Sequence, residues 1–385
     1  MRIFGYTESA RLLKETMRKY KILFLNSIRE DVWGGGENLI YNLAVHLSSR
    51  GHSIWIAGRK NSEFLNHFSS AEINLVPLKI RGDFGPVNIL SLAKILSKEK
   101  IDFIWVNFNK DLRLGGIAAR LVGGVKVIWG MGVLLPGTNL IHRLTGKYLP
   151  DKIVVPSQNL KDQLRKFTWL KQEKIEVVLN GIELSCFDLD LKKEREKLFQ
   201  KYDLDPRITL IGVPARLVVA KGHRYLIQAI PEIIQSFPTV KFLFAGDGSE
   251  KESLRKLSRQ LNLDDYIIFA GYIRDIFETM AGFDLLVLPS IIEPFGLVLA
   301  EGMALKKPIV ATRVGGVPEV AQDQVTGLLV PSENPHSLAQ AIITVLKDKN
   351  LALSFGEAGR KRVEALFDIK KMVGKIELLL AEMSA

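Results

Sequence analysis

Glu293 and Glu301 stand eight positions apart in SIIEPFGLVLAEGMAL, residues 290–305. Two carboxylates so close in sequence could serve acid/base hydrolysis, or could hold hydroxyl groups. Pro294 disfavours helical geometry at Glu293. The apolar series Leu297, Leu299, Ala300 and Met303 starts only after Gly296, so the pattern predicts a helix opening at Gly296, with Glu301 inside it and Glu293 outside. Even on one helix the two would sit about 12 Å apart along the axis and about 80° apart around it. That exceeds the roughly 5–9.5 Å of carboxylate pairs that hydrolyse glycosides, which disfavours a hydrolytic dyad. What remains is a helix N-terminus whose N–H groups favour a phosphate, flanked by two hydroxyl acceptors. A sugar nucleotide offers that order of groups: hydroxyls, diphosphate, hydroxyls.

Two cations supply a matching charge. Arg216 and Lys221 in VPARLVVAKGHRYLIQAI follow a β-branched run and precede a helical pattern near Gly222. They could clamp a diphosphate, Arg by its fork and Lys as a point charge, or they could be ordinary surface cations. Gly34, Gly35 and Gly36 stand before another helical pattern, where side-chain-free backbone can approach an anion. Their spacing is not the G-x-G-x-x-G dinucleotide fingerprint, and a plain tight turn fits equally. In AGDGSEKESL, residues 245–254, Asp247 or Ser249 is the expected cap of a helix. Cys186 is the sole cysteine of the chain, which excludes an intrachain disulfide and fits a reducing cytoplasm. No motif surrounds it, so an inert thiol is expected.

These residues need elements to position them. From residue 21 short β-branched runs alternate with amphipathic patterns, the mark of βα units and parallel sheets. The first-half strands are expected at 21–26, 53–58, 101–106, 125–130, 152–156 and 175–180. After a charged stretch a second series is expected at 208–215, 240–246, 266–271, 284–289, 308–312 and 326–331, followed by helices. Between the first two strands, Leu39, Asn42-Leu43 and Leu47 mark one helical face that Gly51 stops. The chain of 385 residues is too long for one ordinary core and fits two doubly wound domains joined near residue 184. Ligands of such sheets bind at the carboxyl ends of the strands, which is where the candidate residues fall.

Composition narrows the classes. Hydrophobic residues at 47% and charged residues at 25% are those of a globular protein. No apolar run approaches the roughly 18–20 residues of a membrane span, and the N-terminus shows no signal-peptide core. The net charge of +11 lies wholly in residues 1–183, which carry 27 Lys/Arg against 16 Asp/Glu. That surface fits simple solvation or an anionic partner such as a membrane. Nucleic acid is not expected, because the basic half has neither aromatic platforms nor a reading motif.

The second half resembles the retaining GT-B glycosyltransferases of family 4, the glycosyltransferase group 1 type. ARLVVAKG, AGDGSEKESL, FAGYI, LPSIIEPFGLVLAEGMALKKPIVAT and VGGVPEVAQDQVTGLLV match its blocks in order, and the E-x7-E element Glu293…Glu301 is the most specific of them. LNGIELSCF, residues 179–187, resembles the domain junction, and WGGGENLIYNLAVHLSSRGHSIWIAG resembles the N-terminal glycine loop. The resemblance implies an α/β GT-B fold: two doubly wound Rossmann-like domains facing across a cleft. It implies an acceptor-side domain over 1–183, a donor domain over 184–366, and a helix within 367–385 packing back on the first. It also implies that Arg216 and Lys221 bind the donor diphosphate and act catalytically with Glu293. Glu301 would hold the ribose. Glu293, with Phe295, Gly296 and Leu297, would address the donor sugar and phosphate. Gly246 would join them, Tyr272 and Ile273 would border the base, and Gly35 and Gly36 would close over the donor. No metal or other cofactor is implied. D-x-D occurs only at Asp188…Asp190 and Asp203…Asp205, away from strand ends.

The implied function is transfer of a sugar from a UDP-, GDP-, ADP- or dTDP-sugar to a glycan or glycolipid in cell-surface polysaccharide or lipopolysaccharide synthesis. The implied site is cytoplasmic, on the inner face of the membrane. A GT-B-like sugar-nucleotide epimerase, or a basic lipid- or nucleic-acid-binding protein with a vestigial site, are the alternatives. The chain departs from the family in its first half. Many relatives have histidines where this chain has Trp105, Asn107 and Trp129-Gly130, and none of its six histidines falls there. Residues 1–20 precede the usual family start. There ESARLLKETMRKY mixes Leu12, Leu13, Met17 and Tyr20 with basic residues, as an interfacial helix, a packed helix or a loose tail would.

Overall fold

The computed structural model describes residues 18–28, 33–69, 73–80, 85–132, 139–274 and 276–384. The basic segment expected to be a helix, a tail or a membrane contact falls within residues 1–20 and so lies mostly outside them. The chain divides into two compact units. The first comprises the described residues of 1–155, 163–178 and 370–384, and the second comprises 156–162 and 179–369.

Short runs of Ile, Val, Leu and Phe form the strands because both faces of a parallel sheet are covered by helices. The first unit holds β1 (Lys21–Asn26), β2 (Ser53–Arg59), β3 (Asn74–Leu78), β4 (Phe103–Val106), β5 (Lys126–Gly130), β6 (Lys152–Val155) and β7 (Ile175–Val177). They form a parallel sheet in the order β3-β2-β1-β4-β5-β6-β7. Six of these strands coincide with the expected runs. β3 was not expected: its NLVPL stretch contains Pro77, which has no N–H to donate and is tolerated because β3 is the sheet edge. The helix Gly35–Ser49 buries Ile40, Leu43, Ala44 and Leu47, the face expected from the spacing, and the chain turns after it at Gly51.

The second unit holds β8 (Thr209–Pro214), β9 (Val240–Ala245), β10 (Ile267–Gly271), β11 (Leu285–Leu288), β12 (Ile309–Thr312) and β13 (Gly327–Val330). All are parallel, in the order β10-β9-β8-β11-β12-β13. Its two faces carry separate cores. One includes Leu243, Leu286, Leu288, Phe295, Leu299 and Met303, and the other Val213, Ile227, Ile230, Phe242, Phe244 and Val287. Both units are therefore Rossmann-like, with the strand order reversing beside β1 and beside β8.

The stretch resembling a domain junction belongs to the second unit. Ile182 donates its N–H to Phe367 O at 2.7 Å, and Ile369 donates to Ile182 O at 3.0 Å. The last helix, Ile369–Ser384, lies from Lys370 onward in the first unit. There Glu377 is buried, 2.5 Å from Arg50 Nη1 and 3.2 Å from His52 Nε2.

Candidate active site

Three loops of the second unit meet at the carboxyl end of its sheet. After β8 the chain passes Arg216 and Lys221 and turns at Gly222, with φ +63, into the helix His223–Ser236. A Cβ on Gly222 would lie 2.0 Å from Pro289 O, so only glycine lets this turn reach the end of β11. The two loops are then stitched together: Ile291 and Ile292 donate their N–H groups to Ala220 O at 2.8 and 3.1 Å.

The loop after β11 carries Glu293. Its carbonyl accepts from Gly316 N at 2.9 Å, across the turn that follows β12. Gly315 in that turn has φ +52, and a Cβ there would lie 2.0 Å from Glu293 O. Thr312 Oγ1 donates to Ser290 O, and Ser157 Oγ donates to Pro294 O at 2.9 Å. Ser157 starts the helix Gln158–Leu164, whose first N–H groups, of Gln158 and Asn159, donate to the two oxygens of Glu319 at 2.8 and 2.7 Å. Glu293 is thus held through its own carbonyl and through its neighbours Ser290 and Pro294 before its carboxylate does anything.

That carboxylate is buried and takes Lys221 Nζ at 2.5 Å on Oε2, where Ser290 Oγ also donates at 3.2 Å. Lys221 and Glu293 neutralise one another. Arg216 is exposed, and no side-chain hydrogen bond or ion pair engages it among the described residues, so the surplus positive charge of this rim is its own. The helix Leu297–Ala304 begins where the sequence predicts, with Gly296 as N-cap and no side chain capping it. Its first turn presents the backbone dipole to the same rim. Glu301 lies on its second turn. Part of its surface remains open, yet desolvation lifts its carboxyl to about 7, well above the ordinary range.

The other expected residues are placed less tightly. Phe295 turns its ring into the core against Phe367, so only its backbone faces the loop. Leu297 packs partly on that core. Gly246 follows β9 and bridges to Gly271, next to exposed Tyr272 and half-buried Ile273. Gly35 and Gly36 open a helix of the first unit, where a Cβ on Gly36 would meet no atom within 4 Å. The expected cap at Asp247 or Ser249 is not made. The helix starts at Lys251, and Asp247 accepts from Lys251 Nζ and from its neighbour Gly248 N, both at 2.8 Å.

In the first unit the positions that lack histidine hold two tryptophans tied to Asn107. Trp105 Nε1 donates to Asn107 Oδ1 at 3.2 Å, Trp129 Nε1 to Asn107 O at 3.4 Å, and both rings are buried. Beside them Asp111 accepts from Ser27 N at 2.9 Å and Phe108 N at 3.2 Å. Burial pushes its carboxyl up to about 7 despite these bonds. The D-x-D aspartates are engaged elsewhere: Asp188 with Arg360, Asp190 as a helix cap, and Asp205 with Arg207. Among the described residues no group of three or more His, Cys, Asp or Glu could hold a metal ion.

Sequence reasoning had not assigned Ser157, Ser290, Thr312, Gly315, Gly316 and Glu319 to the site. The paired glycines of VGGVPEV were the one visible signal, since adjacent glycines after a strand mark close backbone approach.

Comparison with known proteins identifies the family. The model of glycosyl transferases group 1 matches residues 194–362, and that of glycosyltransferase family 4 matches 33–185. An uncharacterized glycosyltransferase of Methanocaldococcus jannaschii is 32% identical over 225 residues, which span 56% of this chain and 57% of that protein. The N-acetyl-alpha-D-glucosaminyl L-malate synthase of Bacillus anthracis is 25% identical over 362 residues, 90% of this chain and 93% of the synthase. The crystal structure of Anabaena HepE in complex with UDP-glucose shares the fold, with a TM-score of 0.84, 22% identity, and coverage of 94% of this chain and 100% of HepE. The chain belongs to the glycosyl transferases of group 1, its second unit matched by that family and its first by glycosyltransferase family 4.

Proposed function

We propose that this glycosyltransferase moves a sugar from a nucleotide-sugar donor to a glycan or glycolipid acceptor in surface-polysaccharide or lipopolysaccharide synthesis, with retention of configuration and without a metal ion. One observation carries the reading: a buried carboxylate, an ammonium and an uncapped helix start meet at one sheet end, with Glu301 one turn further on. Arg216, Lys221 and the first-turn amides of Leu297–Ala304 take the diphosphate. Glu293 accepts hydroxyls of the sugar and Glu301 those of the ribose. Tyr272 and Ile273 border the base. HepE, with its bound UDP-glucose, supports a nucleotide-sugar donor.

In the transfer the bond between the anomeric carbon and the diphosphate oxygen breaks as the acceptor hydroxyl attacks from the same face. The hydroxyl's proton passes to the departing diphosphate, so no protein nucleophile is needed. Arg216 and Lys221 act by stabilising the leaving charge. A single cysteine in the chain fits work in the reducing cytoplasm. The test is proton NMR of the product formed from an α-linked donor. An α-product at first appearance, formed equally in chelator, supports the reading; a β-product, or loss of turnover in chelator, overturns it.

A further inference from the structure

The helix Leu140–Tyr148 of the first unit is packed inside out. Leu140 is 70% exposed, Ile141 47%, Leu144 48% and Tyr148 59%. At 3.6 residues per turn these four fall within an arc of about 100°. Nearly opposite that arc stands Gly146, the buried residue of the helix, where a Cβ would lie 2.5 Å from the Trp169 ring. The helix therefore sits on the protein body by its smallest residue and turns its largest apolar ones to solvent. A helix that only covered a core would do the reverse.

Charge says what covers this face. Arg143 is exposed and Lys147 half-buried, and helical spacing sets both along one edge of the apolar arc. Lys147 Nζ lies 5.2 Å from the centre of the Tyr148 ring. From Phe103 to Pro150 the sequence has six Lys/Arg, of which Arg113 is buried and Arg120 pairs with Asp151, and one acid, Asp111, which is fully buried. A second copy of the chain would bring like charges face to face, whereas an anionic bilayer would satisfy both halves of the surface. At nine residues the helix is too short to cross a membrane and suits its interfacial plane. We infer that Leu140–Tyr148 is the surface by which this protein docks on an anionic lipid bilayer, with Ile141 and Leu144 entering the headgroup region and Arg143 and Lys147 holding lipid phosphates.

The test needs neither donor nor acceptor, so it stands or falls apart from the transferase reading. Full-length protein is sedimented with vesicles of phosphatidylcholine, alone or mixed with phosphatidylglycerol. Wild type is expected to bind the mixed vesicles. I141Q/L144Q, whose changes are on the surface and whose fold is checked by thermal melting, should lower the partition constant by about tenfold or more. R143Q/K147Q should lower it several-fold on mixed vesicles and leave neutral vesicles unaffected. V87Q/L90Q removes two other exposed apolar residues, on the helix Pro86–Lys98, and should change nothing. The inference is overturned if wild type does not bind, if I141Q/L144Q binds as wild type does, or if V87Q/L90Q loses as much. It is also overturned if sedimentation velocity shows a dimer of wild type that I141Q/L144Q abolishes.

Discussion

Lys221 Nζ lies 2.5 Å from Glu293 Oε2, although the two residues are 72 positions apart. The sequence assigns one to the diphosphate and the other to the sugar; the structure joins them as an ion pair. On the proposed reading a donor competes for both. The pair also has a structural part, because the Glu293 carboxylate is buried and, among the described residues, its only other side-chain partner is Ser290 Oγ.

Separating these two parts gives the first prediction. K221A leaves a buried carboxylate without its cation and should cost about 1–3 kcal/mol of stability. It should also lower kcat by about 10²–10³. The double variant K221M/E293Q removes both charges, so chemical denaturation should show much of the stability restored while turnover stays low. Turnover returning together with stability would make the pair purely structural.

Glu301 gives a pH dependence with a definite sign. Its folded carboxyl titrates at about 7 against an ordinary 4.5, so the folded state binds an extra proton between those values. Its contribution to stability is greatest below about pH 4.5, falls as pH rises through 7, and is level above that. E301Q should therefore gain stability relative to wild type as pH rises across this window, by at most a few kcal/mol. Donor affinity should move oppositely in wild type, rising towards pH 8 as the carboxylate forms to accept ribose hydroxyls, and should be flat in E301Q. Thermal melts and titration calorimetry at pH 5, 6, 7 and 8 check both.

Gly315→Ala should damage structure and turnover together. It forces a side chain into a left-handed backbone and against Glu293 O, at 2.0 Å. The expected cost exceeds about 2 kcal/mol, with loss of activity because Glu293 is displaced. Gly123→Ala is the control: φ is +76 there and a Cβ would meet nothing within 4 Å, so stability alone should fall. Denaturation and turnover of both variants make the comparison.

The last helix should report on its own anchor. Burial pushes the Glu377 carboxyl up, but its bond to His52 together with the charge and bond of Arg50 outweigh this and hold it below the ordinary carboxyl range. Its stabilising part is therefore present above about pH 4.5 and is lost as pH falls through its lowered folded value. E377Q should be less stable than wild type at pH 7, by about 1–3 kcal/mol, and the difference should shrink in acid. A constant difference from pH 7 to pH 3 would contradict the ion-pair role.

Much of this was legible because periodicity and turn residues act locally. Pro294 and Gly296 place the start of the helix that carries Glu301, and that start is observed. The β-branched runs predict twelve strands where the structure forms them. β3 escaped because Pro77 argues against a strand, and only its position at the sheet edge permits it. Asp247 and Ser249 were the expected caps because their side chains suit the role, but Lys251 competes for Asp247. The mutual pairing of Lys221 and Glu293, the Gly315 contact and the hold of Ser157 on Pro294 are tertiary. The first two exist only once β8, β11 and β12 lie side by side, the third joins segments 137 positions apart, and no spacing along the chain encodes any of them.

Binding of the donor is the most direct measurement. Wild type, R216A, K221A and E301A are each melted with UDP, GDP, ADP and dTDP sugars. One nucleotide sugar is expected to raise the melting temperature of wild type, with the shift lost in E301A and strongly reduced in R216A and K221A. No shift with any of the four, or an equal shift in wild type and all three variants, would contradict the site.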